Sequence, residues 1–429
     1  MGVTLFGKNG RQDSLAFENV RVVDPGRGID DALTVTVEQG VIASIEPASA
    51  PANGKVLAPA FVDPHVHLRT PGREDEEDLA SGTRAAAAGG YCAILAMPNT
   101  DPVVDSASVL GALTEEAERE AEIPVGFLAA ITKAQAGAEL TEMVDLTERG
   151  AAGFTDDGRP VVAPGLIRRA LQYSAAAGRP VAVHCEEPTL SRGGHVHEGL
   201  VSAELGFGGY PSVAESVMVA RDLALAGYER RPLHLLHLSA KESVDELRRA
   251  RAAGVQATAE VTPHHLCLTH DAVHSLDPNV KMNPPLRGEE DRAALVEALL
   301  DGTIEAIATD HAPHAREEKE VPFEEAPFGV TGLETAFSAL YTQLVEPGVV
   351  PLPTLLDRMS AGPARVYGLD APTIEVGAQA NLVLLDVNAV WHVDEGSFRS
   401  KSSNSWLLGS TLHGRVLQTV ARGRVVYRA

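Results

Sequence analysis

Cysteines and long hydrophobic runs are scarce in this chain of 429 residues. The three cysteines, Cys92, Cys185 and Cys267, are widely spaced and form no CxxC pair, which argues against a disulfide framework or a zinc ribbon. The longest nearly apolar stretch, residues 85–97, is interrupted by two glycines and is too short to span a bilayer. Because no basic and apolar leader opens the chain either, we expect a soluble, cytoplasmic protein without a membrane partner.

Basic residues are also in short supply. Lys and Arg number 36 against 59 Asp and Glu, so the formal net charge is −23. With no basic run to offset this charge, nucleic acid is an unsuitable partner. A small anionic substrate remains compatible, since a few local cations can dominate one pocket. Hydrophobic residues make up 44% of the chain, enough for a large folded domain and a smaller one.

Short strand-like segments lie at both ends of the chain. Alternating apolar residues predict strands over residues 16–24, 33–38, 41–45, 380–386 and 417–427. Because both ends are rich in such segments and the middle is not, we expect one composite β-sandwich domain. It would be built from residues 1–57 and 371–429.

The middle of the chain, residues 58–370, alternates between strand and helix patterns. Helical segments such as Glu76–Ala88 and Ser212–Ala226 separate apolar runs that are too short for helices. The predicted strands are Val56–Asp63, Tyr91–Met97, Val125–Ile131, Gly153–Asp157, Val181–Cys185, Leu233–Leu238, Val255–Val261 and Ile304–Thr309. Eight such units predict a (β/α)8 TIM-type barrel with its active site at the carboxyl ends of the strands. An open doubly wound sheet is the alternative, but the Gly-rich phosphate loop that it needs after the first strand is missing.

Side chains with metal-binding chemistry follow five of the predicted strands. They are His65, His67, His184, His237 and Asp310, together with Asp156 or Asp157. Alternate residues of a strand share a face, so the two histidines after the first strand can converge on one ion. Imidazole and carboxylate together favour zinc or a similar divalent ion over calcium or magnesium. The spacing therefore predicts a zinc site where barrel enzymes work.

The number of these side chains exceeds what one ion needs. Six ligands are more than the three or four protein groups of a single zinc site, which predicts two ions that share a carboxylate. A lone His-x-His could be a structural pair, but ligands at five strand ends argue against that interpretation. A water between two such ions is a nucleophile near neutral pH, so we expect hydrolysis of an amide or ester, or its reversal. Strand periodicity leaves Asp156 and Asp157 open as the shared acid.

Six short motifs carry a family resemblance. They are Asp63-Pro-His-Val-His-Leu-Arg69, Met97-Pro-Asn-Thr100, Phe154-Thr-Asp-Asp-Gly158, Val261-Thr-Pro-His-His265, Lys281-Met-Asn-Pro-Pro285 and Ala308-Thr-Asp-His-Ala-Pro-His314. Together they resemble the dihydroorotases of the amidohydrolase superfamily, specifically the longer bacterial type. The resemblance runs from about Phe17 to the C-terminus.

The resemblance implies a zinc-dependent, reversible cyclisation of N-carbamoyl-L-aspartate to L-dihydroorotate in pyrimidine synthesis. It implies that His65, His67 and Asp310 hold one zinc, that His184 and His237 hold the other, and that Asp157 bridges them. Asp310 would also be the catalytic proton carrier. The implied substrate contacts are His67, Arg69, Asn99, Asn283, His314, Phe328 and Gly329. Aspartate transcarbamoylase as a partner and a homodimer are both compatible with the resemblance.

Two other functions are compatible with parts of the sequence. A hydantoinase or allantoinase would use the same metals, but it would not need Arg69 and would carry a carboxylated lysine at the end of strand four, where this chain has only aspartates. A non-catalytic scaffold for aspartate transcarbamoylase would be free to lose metal ligands. All the expected ligands are present, which argues against the scaffold.

Some conspicuous residues receive plainer interpretations. His264 and His265 are expected to pack behind the metal ligands, and Lys133 is expected to be a solvated loop cation. Cys185 is expected to be a small core residue. The charged run 316–320 is interpreted as a solvated face, with a mobile lid as the alternative.

Overall fold

The computed structural model describes residues 2–429. In chain order its strands are β1 Leu15–Asp24, β2 Ile29–Glu38, β3 Val41–Pro47, β4 Lys55–Pro59, β5 Phe61–Val66, β6 Tyr91–Ala96, β7 Val125–Ala129, β8 Ala151–Phe154, β9 Val181–Val183, β10 Val196–His197, β11 Gly209–Tyr210, β12 Leu233–Leu235, β13 Ala257–Val261, β14 Ala306–Ile307, β15 Leu382–His392, β16 Thr411–Ala421 and β17 Arg424–Arg428. The α-helices are α1 Leu79–Ala88, α2 Ala107–Glu120, α3 Met143–Glu148, α4 Pro164–Ala177, α5 Pro188–Ser191, α6 Leu200–Leu205, α7 Val213–Glu229, α8 Lys241–Ala252, α9 Pro263–Cys267, α10 Glu289–Asp301, α11 Arg316–Lys319, α12 Ala336–Leu340, α13 Leu352–Met359 and α14 Ala361–Tyr367. Short 3-10 turns cover Pro25–Arg27, Lys133–Gln135, His270–Ser275, Pro278–Val280 and Glu395–Ser397, and a π-turn covers Tyr341–Val345.

Eight parallel strands form the centre of the molecule, in the order β5-β6-β7-β8-β9-β12-β13-β14. The first and last strands meet at their carboxyl ends, where Val66 pairs with His311 and the His67 N–H donates to the His311 carbonyl (2.9 Å). Asp63 reinforces this closure, because its carboxylate accepts the Thr309 hydroxyl at 2.6 Å. The predicted (β/α)8 barrel is confirmed.

The barrel strands are shorter than the sequence pattern predicts. The predicted strand Val56–Asp63 is two strands: β4 pairs with β1 and β15 outside the barrel, and β5 begins the barrel after Ala60. β9 and β12 end at Val183 and Leu235, although the Leu238 N–H beyond β12 still donates to the Glu260 carbonyl (3.0 Å). His237, just beyond β12, adopts a left-handed φ of 31°. Such backbone strain is typical of functional sites.

Helices pack around the strands as predicted, with shifted ends. α1 begins at Leu79 and not at Glu76, because Asp78 caps it by accepting the Ser81 N–H at 2.7 Å. Glu76 and Glu77 are therefore in the turn before the helix, where both are buried. No helix within residues 2–429 has the length and apolar character needed to cross a lipid bilayer.

The two ends of the chain build one seven-stranded sheet, in the order β17-β16-β15-β4-β1-β2-β3. The sheet curls over its own hydrophobic cluster, because Ala380 N donates to Gly40 O (2.9 Å) and Gly423 N donates to Ala380 O (2.8 Å). Gly40 lies in the turn between β2 and β3, and Gly423 lies in the turn between β16 and β17. Because β3 and β17 are the two edge strands, these hydrogen bonds bring the two edges of the sheet together. The predicted composite β-domain is confirmed, whereas its limits at residues 57 and 371 remain predictions.

Candidate metal centre and active site

Four histidines and two aspartates converge at the carboxyl end of the barrel. All six side chains are buried: His65, His67, Asp157, His184, His237 and Asp310. His65 lies near the end of β5, and the other five lie just beyond β5, β8, β9, β12 and β14, so five strands contribute to one cluster. These are the residues that the sequence proposed as metal ligands.

Asp157 lies between two groups of histidines. Its Oδ2 is 3.4 Å from His65 Nε2 and 3.5 Å from His67 Nε2. Its Oδ1 is 3.3 Å from His237 Nε2 and 3.6 Å from His184 Nδ1. Each carboxylate oxygen therefore faces a different pair of imidazoles, which is the geometry expected of a shared ligand.

Asp310 belongs to the first of these groups. Its Oδ1 is 3.0 Å from His67 Nε2 and 3.4 Å from His65 Nε2. The ligand atoms of these three residues lie within 4.8 Å of one another, as do those of His65, Asp157 and His237. Such spacing suits side chains that bind a common cation.

Asp156, the rival for the shared position, faces away from the cluster. Its carboxylate accepts the N–H groups of Ile131 (2.8 Å) and Thr132 (3.0 Å) and the Thr132 hydroxyl. Burial raises the pKa of Asp156 to about 6, although these hydrogen bonds oppose the shift. The side chain is thus committed to the loop after β7, and Asp157 alone of the pair reaches the histidines.

Glu260 on β13 supports two of the histidines, and the sequence analysis missed it. Its Oε1 is 2.7 Å from His65 Nδ1 and accepts the His237 backbone N–H at 3.4 Å. Its Oε2 is 3.0 Å from His234 Nε2. Burial raises the pKa of Glu260, but His65 and His234 outweigh this effect and bring it to about 2. An acid within an otherwise buried strand was the signal that could have revealed it.

The remaining imidazoles are oriented in a similar way. His184 Nε2 is 2.9 Å from Glu186 Oε2, and His67 Nδ1 is 2.9 Å from Asn99 Oδ1. Burial raises the pKa of Glu186, but His184 and other hydrogen-bond donors lower it to about 2. Polar partners of this kind hold metal-binding imidazoles in one tautomer and one orientation.

The donor set fits divalent metal ions. His65 Nε2 is completely buried and has no hydrogen-bond partner among residues 2–429, yet it faces both Asp157 and Asp310. His184 Nδ1 and His237 Nε2 face each other at 2.9 Å. Imidazole nitrogens that converge on carboxylates in this way are suited to transition-metal cations.

A cavity of about 250 Å³ opens above the cluster. Its walls include every residue that was predicted to touch substrate: His67, Arg69, Asn99, Asn283, His314, Phe328 and Gly329. Gly329 has a φ of 118°, and a Cβ there would lie 2.7 Å from the Ala312 Cβ. The wall therefore requires glycine at this position.

Comparison with known proteins places the chain in a family. Residues 54–243 match the family profile described as Dihydro-orotase-like. The chain is 44% identical to the dihydroorotase of Geobacter metallireducens over 423 residues, which is 97% of this chain and 100% of that protein. This chain belongs to the dihydroorotase family. The dihydroorotase of Shouchella clausii is 47% identical over 377 residues, 88% of each chain.

Solved structures of similar fold include proteins named as hydantoinases and dihydropyrimidinases. L-hydantoinase (dihydropyrimidinase) from Arthrobacter aurescens superposes with a TM-score of 0.86 at 26% identity, covering 99% of this chain and 96% of that one. Dihydropyrimidinase from Brevibacillus agri gives 0.82 at 22% identity over 97% and 95% of the two chains, a likeness of fold alone. The barrel with its terminal β-domain is thus shared between the dihydroorotase family and these proteins.

Arg69 lies at one side of the dihydroorotase-family cavity and is largely buried. Its Nε–H donates to the Pro313 carbonyl (3.1 Å), and its terminal Nη2 is 3.5 Å from His314 Nε2. The guanidinium also forms an ion pair with Glu76, with Nε 2.9 Å from Oε2. Arg69 therefore both faces the cavity and contacts an acid of the turn before α1.

Lys281 holds the loop that carries Phe328, a second feature that sequence reasoning missed. Its ammonium donates to the carbonyls of Phe323 (2.8 Å), Glu324 (2.9 Å) and Ala326 (2.7 Å). It also lies 4.8 Å from the centre of the Phe328 ring. Its position in the Lys281–Pro285 motif was the available signal.

Asn404, from the C-terminal segment, joins two loops of the cavity. Its Nδ2 donates to the carbonyls of Ala312 (3.1 Å) and Gly329 (3.2 Å), and its Oδ1 accepts the His314 N–H (3.1 Å). The distance in sequence between Asn404 and these loops concealed this contact from sequence analysis.

Three residues outside the set of proposed metal ligands, His265, Lys133 and Cys185, have clear surroundings in the structure. His265 bonds to Thr262 Oγ1 (2.7 Å) and to the Pro284 carbonyl (3.0 Å). Lys133 is about half exposed and pairs with Glu139. Burial raises the pKa of the Cys185 thiol well above its usual range, which suits a core residue.

The charged run 316–320 differs in part from the expected solvated face. Arg316 pairs with Glu320 on the surface. Lys319, in contrast, is buried and donates to the carbonyls of Pro278 (3.1 Å) and Pro327 (2.8 Å). The segment is therefore anchored from beneath by its lysine.

Proposed function

We propose that this protein is a dihydroorotase, which interconverts N-carbamoyl-L-aspartate and L-dihydroorotate in pyrimidine synthesis. The observation that carries the proposal is the cavity of about 250 Å³, in which the Arg69 guanidinium stands beside the cluster of histidines and aspartates. A cation for a carboxylate and a metal centre for an amide match the two functional groups of this substrate. Relatives 44% and 47% identical that carry the same name support it.

The metal is proposed to be zinc, two ions per chain. His65, His67 and Asp310 would hold one ion and His184 and His237 the other, with Asp157 contributing one oxygen to each. When bound, zinc would supply polarisation of the amide carbonyl and activation of a water. The opposed contacts of the two Asp157 oxygens support this division.

The substrate carboxylate is proposed to bind at Arg69, Asn99 and His314. A planar guanidinium suits a carboxylate because it can donate two parallel hydrogen bonds. Asn283 is proposed to bind the ring. Its Nδ2 already donates to Glu186 (3.0 Å), whereas its buried Oδ1 has no partner among residues 2–429 and can accept a ring N–H. Phe328 and Gly329 would close the cavity around the ring.

Asp310 is proposed to carry the proton. Its contacts with His65 and His67 run through Oδ1, which leaves Oδ2 available. In hydrolysis, a water oxygen bonds to the ring carbonyl carbon, the water proton passes to Asp310, and Asp310 delivers it to the ring nitrogen as the carbon–nitrogen bond breaks. Cyclisation reverses these steps.

A hydantoinase-type hydrolase is the second candidate, and the likeness to L-hydantoinase from Arthrobacter aurescens favours it. The aspartates after β8 and the exposed position of Lys133 speak against it. Purified, zinc-supplemented protein should be given dihydroorotate, hydantoin, dihydrouracil and allantoin in parallel, with ring opening followed for each. Preference for any substrate other than dihydroorotate would refute the proposal, and turnover of none would favour a non-catalytic scaffold.

The same resemblance supports a cytoplasmic location, a homodimer and aspartate transcarbamoylase as a partner. Light scattering of the protein alone, and of its mixture with a transcarbamoylase from the same organism, tests the last two. A monomer that does not associate would contradict both.

A further inference from the structure

Glu76 is a fully buried carboxylate beside the candidate substrate cavity, in the turn between β5 and α1. Three side chains with basic nitrogens surround it. Its Oε2 is 2.9 Å from Arg69 Nε, and its Oε1 is 2.5 Å from Arg73 Nη2 and 3.3 Å from His314 Nδ1. A carboxylate removed from water in this way needs such partners to remain charged.

The side chains around Glu76 stabilise its negative charge and would not hold a further metal ion. Glu76, His314 and Glu318 place their ligand atoms within 4.8 Å of one another, which by itself would suit a cation. However, two arginines already pair with these carboxylates: Arg69 and Arg73 both form ion pairs with Glu76, and Arg73 forms another with Glu318. Two guanidinium groups at this distance would repel a metal ion.

Two of the residues that Glu76 contacts, Arg69 and His314, also line the cavity. The single Nε–H of Arg69 donates to the Pro313 carbonyl, and the ion pair with Glu76 lies on the same edge of the guanidinium, so the orientation of its terminal NH2 groups is fixed from that edge. His314 is held between Glu76 at Nδ1 and the Phe328 carbonyl at Nε2 (2.8 Å). One buried charge thus sets the orientation of two neighbouring wall residues.

We infer that Glu76 is a positioning residue for the substrate carboxylate: it holds the Arg69 fork and the His314 ring in the orientation that binds this group. The inference rests on the proposed function, since it takes Arg69 and His314 as carboxylate ligands. Pre-organised donors bind a carboxylate more tightly because no side-chain freedom is lost on binding. Glu76 itself need not touch the substrate.

Glu77 provides a matched control. It is as buried as its neighbour but faces the opposite way. Its carboxylate is 3.3 Å from His311 Nε2 and accepts the Lys401 N–H (3.2 Å) and the Ser400 hydroxyl. Loss of its charge would disturb the junction with the C-terminal segment and not the carboxylate-binding wall.

The experiment compares Glu76→Gln with Glu77→Gln in the full-length, zinc-loaded enzyme. Glutamine keeps the size of the side chain, but its amide NH2 would face guanidinium donors, so Arg69 should lose its fixed orientation. We expect Glu76→Gln to raise KM for dihydroorotate about 10-fold or more while kcat changes less than about 3-fold. Zinc content should equal that of the wild type. Glu77→Gln should leave KM within about 2-fold.

A second comparison separates positioning from general stability. In an Arg69→Lys background, Glu76→Gln should raise KM by less than about 3-fold further, because it acts through the same guanidinium. If Glu76→Gln fails to fold, Glu76→Asp is the alternative. It keeps the charge, but its side chain is one methylene shorter, so the carboxylate lies farther from Arg69 and His314 and KM should rise at least about 3-fold. An unchanged KM in the variant that folds, or an equal rise in Glu77→Gln, overturns the inference. A wild-type enzyme that does not open dihydroorotate instead refutes the proposed function.

Discussion

Removing the charge of Glu260 should weaken metal binding although Glu260 is not a ligand. In Glu260→Gln the amide oxygen can still accept the proton of His65 Nδ1, now 2.7 Å from the carboxylate. The amide NH2 would then face His234 Nε2, so His234 must place its proton on Nδ1, which lies 2.8 Å from the Thr258 hydroxyl. His234 can change tautomer in this way, whereas His65 cannot, because its Nε2 must stay free for the metal.

The magnitude follows from the change in one hydrogen bond. A bond to a charged acceptor contributes roughly 1.5–3 kcal/mol and a neutral one about 0.5–1.5 kcal/mol, so His65 loses on the order of 1–1.5 kcal/mol. That difference corresponds to roughly a 10-fold lower zinc affinity, within the range of about 10- to 100-fold seen for partners of metal-bound histidines. Glu260→Leu leaves the N–H groups of His65 and His237 without an acceptor even if His234 changes tautomer, so its zinc affinity should fall about 100-fold.

The assay is a zinc titration of the metal-free protein in competition with a chromophoric chelator. Glu305→Gln is a suitable control. Glu305 lies just before β14, accepts the N–H of Ala259 on β13 (3.1 Å) and forms its ion pair with Arg251. We expect Glu305→Gln to bind zinc as the wild type does. Wild-type zinc affinity in both Glu260 variants would show that the second contact of His65 does not orient it for metal binding.

Three further substitutions test the site. Arg69→Lys keeps the charge but loses the planar fork, so kcat/KM for dihydroorotate should fall about 10- to 1000-fold in steady-state assays, with unchanged metal content. Asp310→Asn can still offer an oxygen to zinc but cannot accept a proton, so turnover in both directions should fall about 100- to 10,000-fold while elemental analysis shows most of the metal retained. Lys281→Met removes the donor for three carbonyls within residues 323–326, so urea unfolding should show a loss of about 2–4 kcal/mol, whereas Lys133→Met on the surface should unfold at the same urea concentration as the wild type.

Each of these expectations has a contrary result. An unaltered kcat/KM in Arg69→Lys would make the ion pair with Glu76 the whole role of Arg69. Near-normal turnover of metal-loaded Asp310→Asn would move proton transfer to another group, with His314 the next residue to examine. Equal stability losses in Lys281→Met and Lys133→Met would mean that water replaces the lost donor.

The sequence predicted those parts of the structure that depend on local pattern. Eight apolar runs identified the barrel, and polar residues after them identified the ligands, because both follow from the period of a strand. The choice between Asp156 and Asp157 needed the structure, since both follow β8 directly and only their surroundings differ. The break at Ala60 was missed because the two strands on either side of it are apolar alike.

Residues that support the site were harder to predict than residues that form it. Glu260 acts on His65 from a position 195 residues away, and its strand shows only one acid among buried neighbours. Glu76 lies in a run of five acids, Glu74 to Asp78, so composition suggests a solvated turn, and only the fold buries it. Contacts of this kind depend on how distant segments meet, which no local period records.

The three hydrogen bonds of Asn404 have a consequence for the order of synthesis. Every proposed metal ligand has been translated once Asp310 is in place, yet the loops at Ala312 and Gly329 still lack the amide that joins them. Asn404 follows Ala312, one of its hydrogen-bond partners, by 92 residues. The ribosome must therefore add this whole stretch before the amide exists. A premature stop before Asn404 would leave a product that contains every proposed ligand but lacks this amide and the strands β16 and β17. Completion of the cavity therefore waits for the last part of the chain, whereas the set of proposed ligands does not.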